Sequence, residues 1–185
     1  MTRMRLSHSL LISLTAAWLA LSALAIPLDA LAQTQALEPD LKAAIITNML
    51  LFVEWPARSS FPADQLTICQ QGNSPVAAAL ARLDGKTIRN KLVRVLLISS
   101  GNAAECQALY LSPGNLVALD KAMSMAGSSP ILIASDSPEY FQQGTMLNLE
   151  LVAGRIVFDI DLRAVLKAGL QVSSKALRMA RQVAE

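Results

Sequence analysis

Apolar residues change rhythm several times along the chain. From Leu10 to Ile26 they run almost without a break, interrupted only by Ser13, Thr15 and Ser22. Further on, Leu41, Ala44, Ile45, Met49 and Phe52 recur at helical spacing behind Pro39, which predicts an amphipathic helix from about Pro39 to Val53. Trp55-Pro56 is expected to end it, because the residue before a proline is pushed out of helical geometry. Leu66 to Cys69 reads as a short buried strand. Ser74-Pro75 supplies an N-cap followed by proline at the first helical position, so a helix is predicted through about Leu83. Asp84-Gly85 turns the chain, and Ile88 and Leu92 to Ile98 are strand material around an exposed Arg89-Asn90-Lys91.

A short helix is expected at Ala103 to Cys106, then a strand at Ala108 to Leu111. The Ser-Pro device recurs at Ser112-Pro113, predicting a helix through about Met123, and at Ser137-Pro138, predicting one that ends at Gly144. Ile131 to Ala134 between them is apolar without alternation, as in a central strand covered on both faces. Leu147, Leu149 and Leu151, then Ile156, Phe158 and Ile160, alternate with other residues around Ala153-Gly154, which is the pattern of a β-hairpin with one buried face. Two helices are expected to close the chain: Leu162 to Ala168, capped by Asp161 and ended by Gly169, and Ser174 to Val183, capped by Ser173. Strands alternating with helices, then a hairpin, predict an α/β single-domain sandwich with a mixed β-sheet flanked by helices.

The continuous run near the start belongs to a different kind of segment. Arg3 and Arg5 precede it and Ala30-Leu31-Ala32 follows, so residues 1–32 read as a signal peptide cleaved after Ala32, with an uncleaved membrane anchor as the alternative. The domain is then 33–185 and the location exported. Removing 1–32 takes away the chain's only histidine, His8, and Trp18, leaving Trp55 as the sole tryptophan and the remainder nearly neutral. A histidine-free domain has no Ser-His-Asp or Cys-His arrangement, and near-neutral charge without a basic block speaks against nucleic acid. In an oxidising compartment the isolated pair Cys69 and Cys106 reads as a disulfide sooner than as a nucleophile or metal site, two buried free thiols being the alternative.

Glycine-rich nucleotide loops and the Gly-x-Ser-x-Gly elbow do not occur, so no cofactor is expected. Asp159 and Asp161, two apart, raise the idea of a paired-carboxylate enzyme, with Glu150 as a further acid. The preferred reading is structural: Asp159 on a solvent face, Asp161 as a helix cap, and Asp136 likewise a turn or cap residue. Phe52-Val53-Glu54-Trp55-Pro56 is the densest local feature in a chain with 4% aromatics. Phe52 ends the apolar helix face and Trp55 plugs the corner, or else the two form an exposed aromatic anchor for a partner. Met123 and Met125 read as gap-filling core, with an adaptable contact surface as the alternative.

Several of these segments stand in a familiar order. Lys42-Ala43-Ala44 with Asn48, Phe52-Val53-Glu54-Trp55-Pro56, Leu83-Asp84-Gly85-Lys86, Ile131 to Ser137, Gly154 to Asp161, and Ala168 to Ser174 with Leu177 together resemble the YfiR family over nearly all of residues 33–185. The resemblance implies a non-enzymatic periplasmic protein, often a homodimer, that represses an inner-membrane diguanylate cyclase by acting on its periplasmic sensor region. Lower cyclic di-GMP and less biofilm follow. It also implies that Cys69 and Cys106 can pair, while the second cysteine pair of some relatives is missing. Phe52 and Trp55, and Leu147, Leu149, Glu150, Arg155 and Phe158 of the hairpin, are the candidate contact residues. The competing expectation is a small-ligand-binding module, since ligands favour clefts at strand ends in α/β sheets.

Overall fold

The computed structural model describes residues 28–185 apart from 58, 60, 99–102, 104, 127 and 128. The chain clusters into two units, 1–35 and 36–185. The expected signal peptide lies largely outside the described residues; the first described helix, α1 (Leu28–Met49), carries Pro39 in its interior and not at its start. A 3-10 turn, Leu50–Phe52, then leads into β1 (Val53–Glu54). The helix therefore ends four residues before the expected Val53, because Val53 and Glu54 pair antiparallel with Val172 and Gln171 of β9 (Gln171–Val172). Its buried stripe also differs from the predicted one: Met49 is buried as predicted, but Ala43 and Ile46 are buried with it, whereas Leu41 is 53% exposed.

The main sheet follows the predicted alternation closely. Its elements are β2 (Gln65–Gln71), α2 (Pro75–Ala81), β3 (Thr87–Ile88), β4 (Lys91–Leu97), β5 (Ala108–Leu111), α3 (Leu116–Ala126), β6 (Leu132–Ser135), α4 (Pro138–Gln142), β7 (Leu147–Val152), β8 (Arg155–Asp161), α5 (Leu162–Lys167), α6 (Ser174–Met179) and β10 (Gln182–Ala184). The eight strands lie in the order β10-β8-β7-β6-β5-β2-β4-β3. Pairing is parallel from β4 across to β7 and again between β8 and β10, and antiparallel in the hairpins β3–β4 and β7–β8. This is an α/β sandwich with a mixed sheet. Ile68, Leu109 and Ile133 sit on neighbouring central strands and are fully buried, which explains why those segments show no polar alternation.

Local signals account for most boundaries. Ser74 accepts a hydrogen bond from the Ala77 amide, Asp161 from Ala164, and Ser173 from Ala176, each as a side-chain N-cap. Both hairpins turn on two residues with positive φ, Arg89-Asn90 and Ala153-Gly154, whose twist matches the flanking strands. Cys69 and Cys106 form a disulfide with Cα atoms 5.6 Å apart, tying β2 to the chain just before β5.

Four expectations need correction. Ser112-Pro113 leads into a turn through Gly114, and α3 starts later because the Asn115 side chain caps it at the Ala118 amide. Among the described residues, Ala103 to Cys106 contributes one hydrogen-bonded turn, Cys106 amide to Ala103 carbonyl, and no helix. The last helix stops at Met179, since Gln182–Ala184 instead adds a strand beside β8. The hairpin is not uniformly one-sided: Leu147, Asn148 and Leu149 are all buried, while Leu151 and Val152 are exposed. The cause is register, for β7 pairs with β6 only through Leu147 and Asn148 and continues past its end.

Candidate functional site

In the order β4-β2-β5-β6-β7, the chain leaves β2 toward one side and β5 toward the other. The carboxyl ends of those two strands therefore flank the position where open α/β sheets hold ligands. Gly72 follows β2 there with φ +90°, and a Cβ on it would lie 2.8 Å from the Ser112 Cβ, so only glycine lets the loops after β2 and β5 approach this closely.

The space between them is filled from within. Lys42 of α1 reaches Asp136, just past β6, with Nζ 3.1 Å from Oδ2, and Glu38 one turn earlier, 2.8 Å away. The Tyr110 hydroxyl donates to the other Asp136 oxygen at 2.6 Å and stands 2.9 Å from the Ser74 Oγ. An ionised carboxylate only accepts, so the direction of the chain is set: Ser112 donates to Ser74, Ser74 to Tyr110, and Tyr110 to Asp136. For Lys42, burial opposes the charge, yet Glu38 and Asp136 outweigh it and raise the ammonium pKa. Burial, then the Asp136 charge, pushes the Tyr110 phenol well above its usual value. The expectation of an open ligand cleft at these strand ends meets a closed ionic lock instead.

The hairpin end of the sheet carries a second ionic cluster. Arg181 grips Asp159 with two nitrogens, one of them Nε at 2.9 Å, and reaches Glu150 at 2.6 Å, while its amide donates to the Phe158 carbonyl. Asp159 is 2% exposed, so the predicted solvent-facing aspartate is in fact a buried partner that holds β10 against β8. The hydrogen bonds that Arg181 donates to Asp159 and then to Glu150 raise its pKa further. Asp161 caps α5 as expected, and the two carboxylates serve separate structural tasks. No group of three or more metal-ligating side chains occurs among the described residues.

Of the predicted contact residues, Leu147 and Leu149 lie in the core and present no side-chain surface. Glu150 and Phe158 are half-buried and Arg155 is exposed near the hairpin tip beside Leu151 and Val152. Phe52 and Trp55 are half-buried against the outside of the core. The Lys175 ammonium stands 5.8 Å from the Phe52 ring centroid, and Trp55 packs edge-on against Phe61 at 6.1 Å. The Trp55 Nε1 is buried without a hydrogen-bond partner among the described residues. Sequence reasoning missed Lys42, Tyr110, Ser74 and Arg181 as site residues. For Lys42 and Glu38 the i, i+4 spacing was a usable signal, but nothing local linked Tyr110 to Asp136.

Comparison with known proteins places these elements in a wider group. The YfiR/HmsC-like (DUF4154) family model matches residues 39–181. No curated protein matches the chain. Among solved structures it is similar to a conserved domain protein from Vibrio cholerae O1 biovar El Tor, with TM-score 0.53 and 11% identity over 79% of this chain. It is also similar to the ABC domain in complex with L-Trp from Streptococcus pneumonia, with TM-score 0.50 and 12% identity over 78%. The chain spans 60% of the length of each of these two, and the likeness is one of fold. Among the described residues, no helix is long and apolar enough to cross a membrane.

Proposed function

As the chain belongs to the YfiR/HmsC-like family, we propose that it is a periplasmic regulator that represses an inner-membrane diguanylate cyclase by contact with the cyclase's periplasmic sensor region. The observation that carries this reading is the family match over residues 39–181. A disulfide at Cys69–Cys106 and a leader-like segment at 1–32 support export. Repression of this type is a population shift: the protein must bind the inactive sensor more tightly than the active one by the free energy of the switch.

The contact surface we assign is the projecting half of the β7–β8 hairpin, where Leu151 and Val152 are 40% and 39% exposed between Glu150 and Arg155. Exposed apolar residues rimmed by charge suit a protein partner. The Phe52–Trp55 corner is the second candidate, and homodimer formation belongs to the same proposal. Deleting the gene is expected to raise intracellular cyclic di-GMP, and the wild-type gene to restore it. A Leu151→Glu/Val152→Glu variant, folded and exported at wild-type level, is expected not to restore it. Unchanged cyclic di-GMP on deletion, with no membrane cyclase co-purifying, would overturn the reading.

A further inference from the structure

The connection that carries the chain from β8 to its neighbour β10 has a one-sided charge. Residues 162–184 hold Arg163, Lys167, Lys175, Arg178 and Arg181, five of the chain's 16 basic residues, and none of its 14 acidic ones. Asp159 and Glu150 neutralise Arg181 from outside the segment. The other four side chains belong to exposed residues and make no ion pair among the described residues.

Their placement repeats from one helix to the next. In α5, Arg163, Leu166 and Lys167 are spaced i, i+3, i+4 and share one helix face, and in α6 Lys175, Arg178 and Met179 do the same. The apolar member of each set stands out in solvent, Leu166 at 56% and Met179 at 50% exposure, while Val165 and Ala176 are buried. Internal stability does not account for Arg163 and Lys175. Both occupy the first turn of their helices, where the helix dipole opposes a cation, and Arg163 faces Lys167, a like charge at i, i+4. Arg163 also lines one cavity with Lys167 and another with Arg181, Gln182 and Ala184, so the cations follow one another round this edge of the sheet.

An array of this kind fits an anionic lipid layer. Lysine and arginine stems lie along such an interface with their charges on the headgroups, and projecting apolar side chains reach the acyl boundary. Recognition of a folded acidic protein rests instead on guanidinium forks held in a fixed geometry, and no ion pair holds any of these four. We propose that α5 and α6 dock the protein on an anionic phospholipid surface, with Leu166 and Met179 at the headgroup boundary and Arg163, Lys167, Lys175 and Arg178 against the lipid phosphates. α5 starts at the opposite end of β8 from the hairpin turn, and the inference needs no cyclase, so it and the regulatory reading fail separately.

The test is co-sedimentation of the exported protein with vesicles of phosphatidylcholine alone or mixed with phosphatidylglycerol. Binding is expected to be stronger on the mixed vesicles and to fall with added salt. Lys167→Glu/Lys175→Glu is expected to weaken it at least about tenfold, to the level seen on phosphatidylcholine alone. Lys86→Glu/Lys121→Glu makes the same change in net charge at exposed positions elsewhere and is expected to leave binding intact. Leu166→Asn/Met179→Asn is expected to weaken binding at any salt concentration. If the first variant lowers the urea midpoint, Lys167→Gln/Lys175→Gln takes its place, with weaker binding again expected. Equal binding to both vesicle types, or equal loss in the two lysine pairs, would overturn the proposal. Displacement from the vesicles by soluble polyglutamate at matched charge would also overturn it, in favour of an acidic protein partner.

Discussion

Lys42 and Asp136 lie 94 positions apart and meet as a nearly buried ion pair, with side chains 8% and 13% exposed. Removing one member leaves the other charge out of water with fewer partners, which costs far more than the intact pair contributes. Asp136→Asn is therefore expected to destabilise the protein by about 3 kcal/mol, read as a lower urea midpoint at unchanged slope. Asp40→Asn breaks the pair with Arg82, whose side chains are 52% and 57% exposed, and is expected to change stability little. The same lock predicts an alkaline limit. Lys42 and Tyr110 both have folded pKa values above their unfolded ones, so their contribution is complete below about pH 10 and is lost as pH rises toward the folded values. Urea midpoints should fall above about pH 10, and less steeply in Tyr110→Phe. Sequence placed Asp136 at a turn correctly, but a turn residue and half of a buried ion pair look alike until the partner is known.

Elements were legible where a local device marks them. Ser74, Asp161 and Ser173 each cap the helix that follows, because a side-chain oxygen next to free amides acts over three residues of chain. Ala153 in the hairpin turn has φ 49°, a conformation that alanine tolerates poorly and asparagine well. Ala153→Asn is expected to add roughly 0.5 to 1 kcal/mol, and Ala153→Val to subtract stability, both measurable by urea unfolding. The C-terminal segment misled the pattern, since Gln182-Val183-Ala184 continues an apolar helical period yet forms a strand. What turns it is non-local: Arg181 bonds to buried Asp159 and β10 finds the open edge of β8. Arg181→Ala is expected to cost about 3 kcal/mol and to speed amide exchange in Gln182–Ala184 ahead of the central strands. Direction of burial in α1 escaped for a similar reason. Apolar residues occur on more than one side of that helix, and tertiary packing buried Ala43 and Ile46 and left Leu41 exposed.

For the whole molecule, the Cys69–Cys106 bond closes a separation of 37 residues between a central strand and the chain just before β5. The chain-entropy model assigns such a closure roughly 3 to 4 kcal/mol. Reduction, or the Cys69→Ser/Cys106→Ser pair, is expected to lower the urea midpoint accordingly and to affect amide exchange near residues 103–107 first. The sequence by itself determined the alternation of strands and helices, the capped helix starts, the tight turns and the family. These depend on spacing and on contacts within a few residues. Only the tertiary structure decided which charges are buried, that Lys42 reaches Asp136 at the strand ends, and that Gln182–Ala184 adds a strand beside β8. Each of those depends on which distant segment arrives beside another, because the cost of burying a charge or leaving a sheet face bare is set by the neighbour that packing supplies.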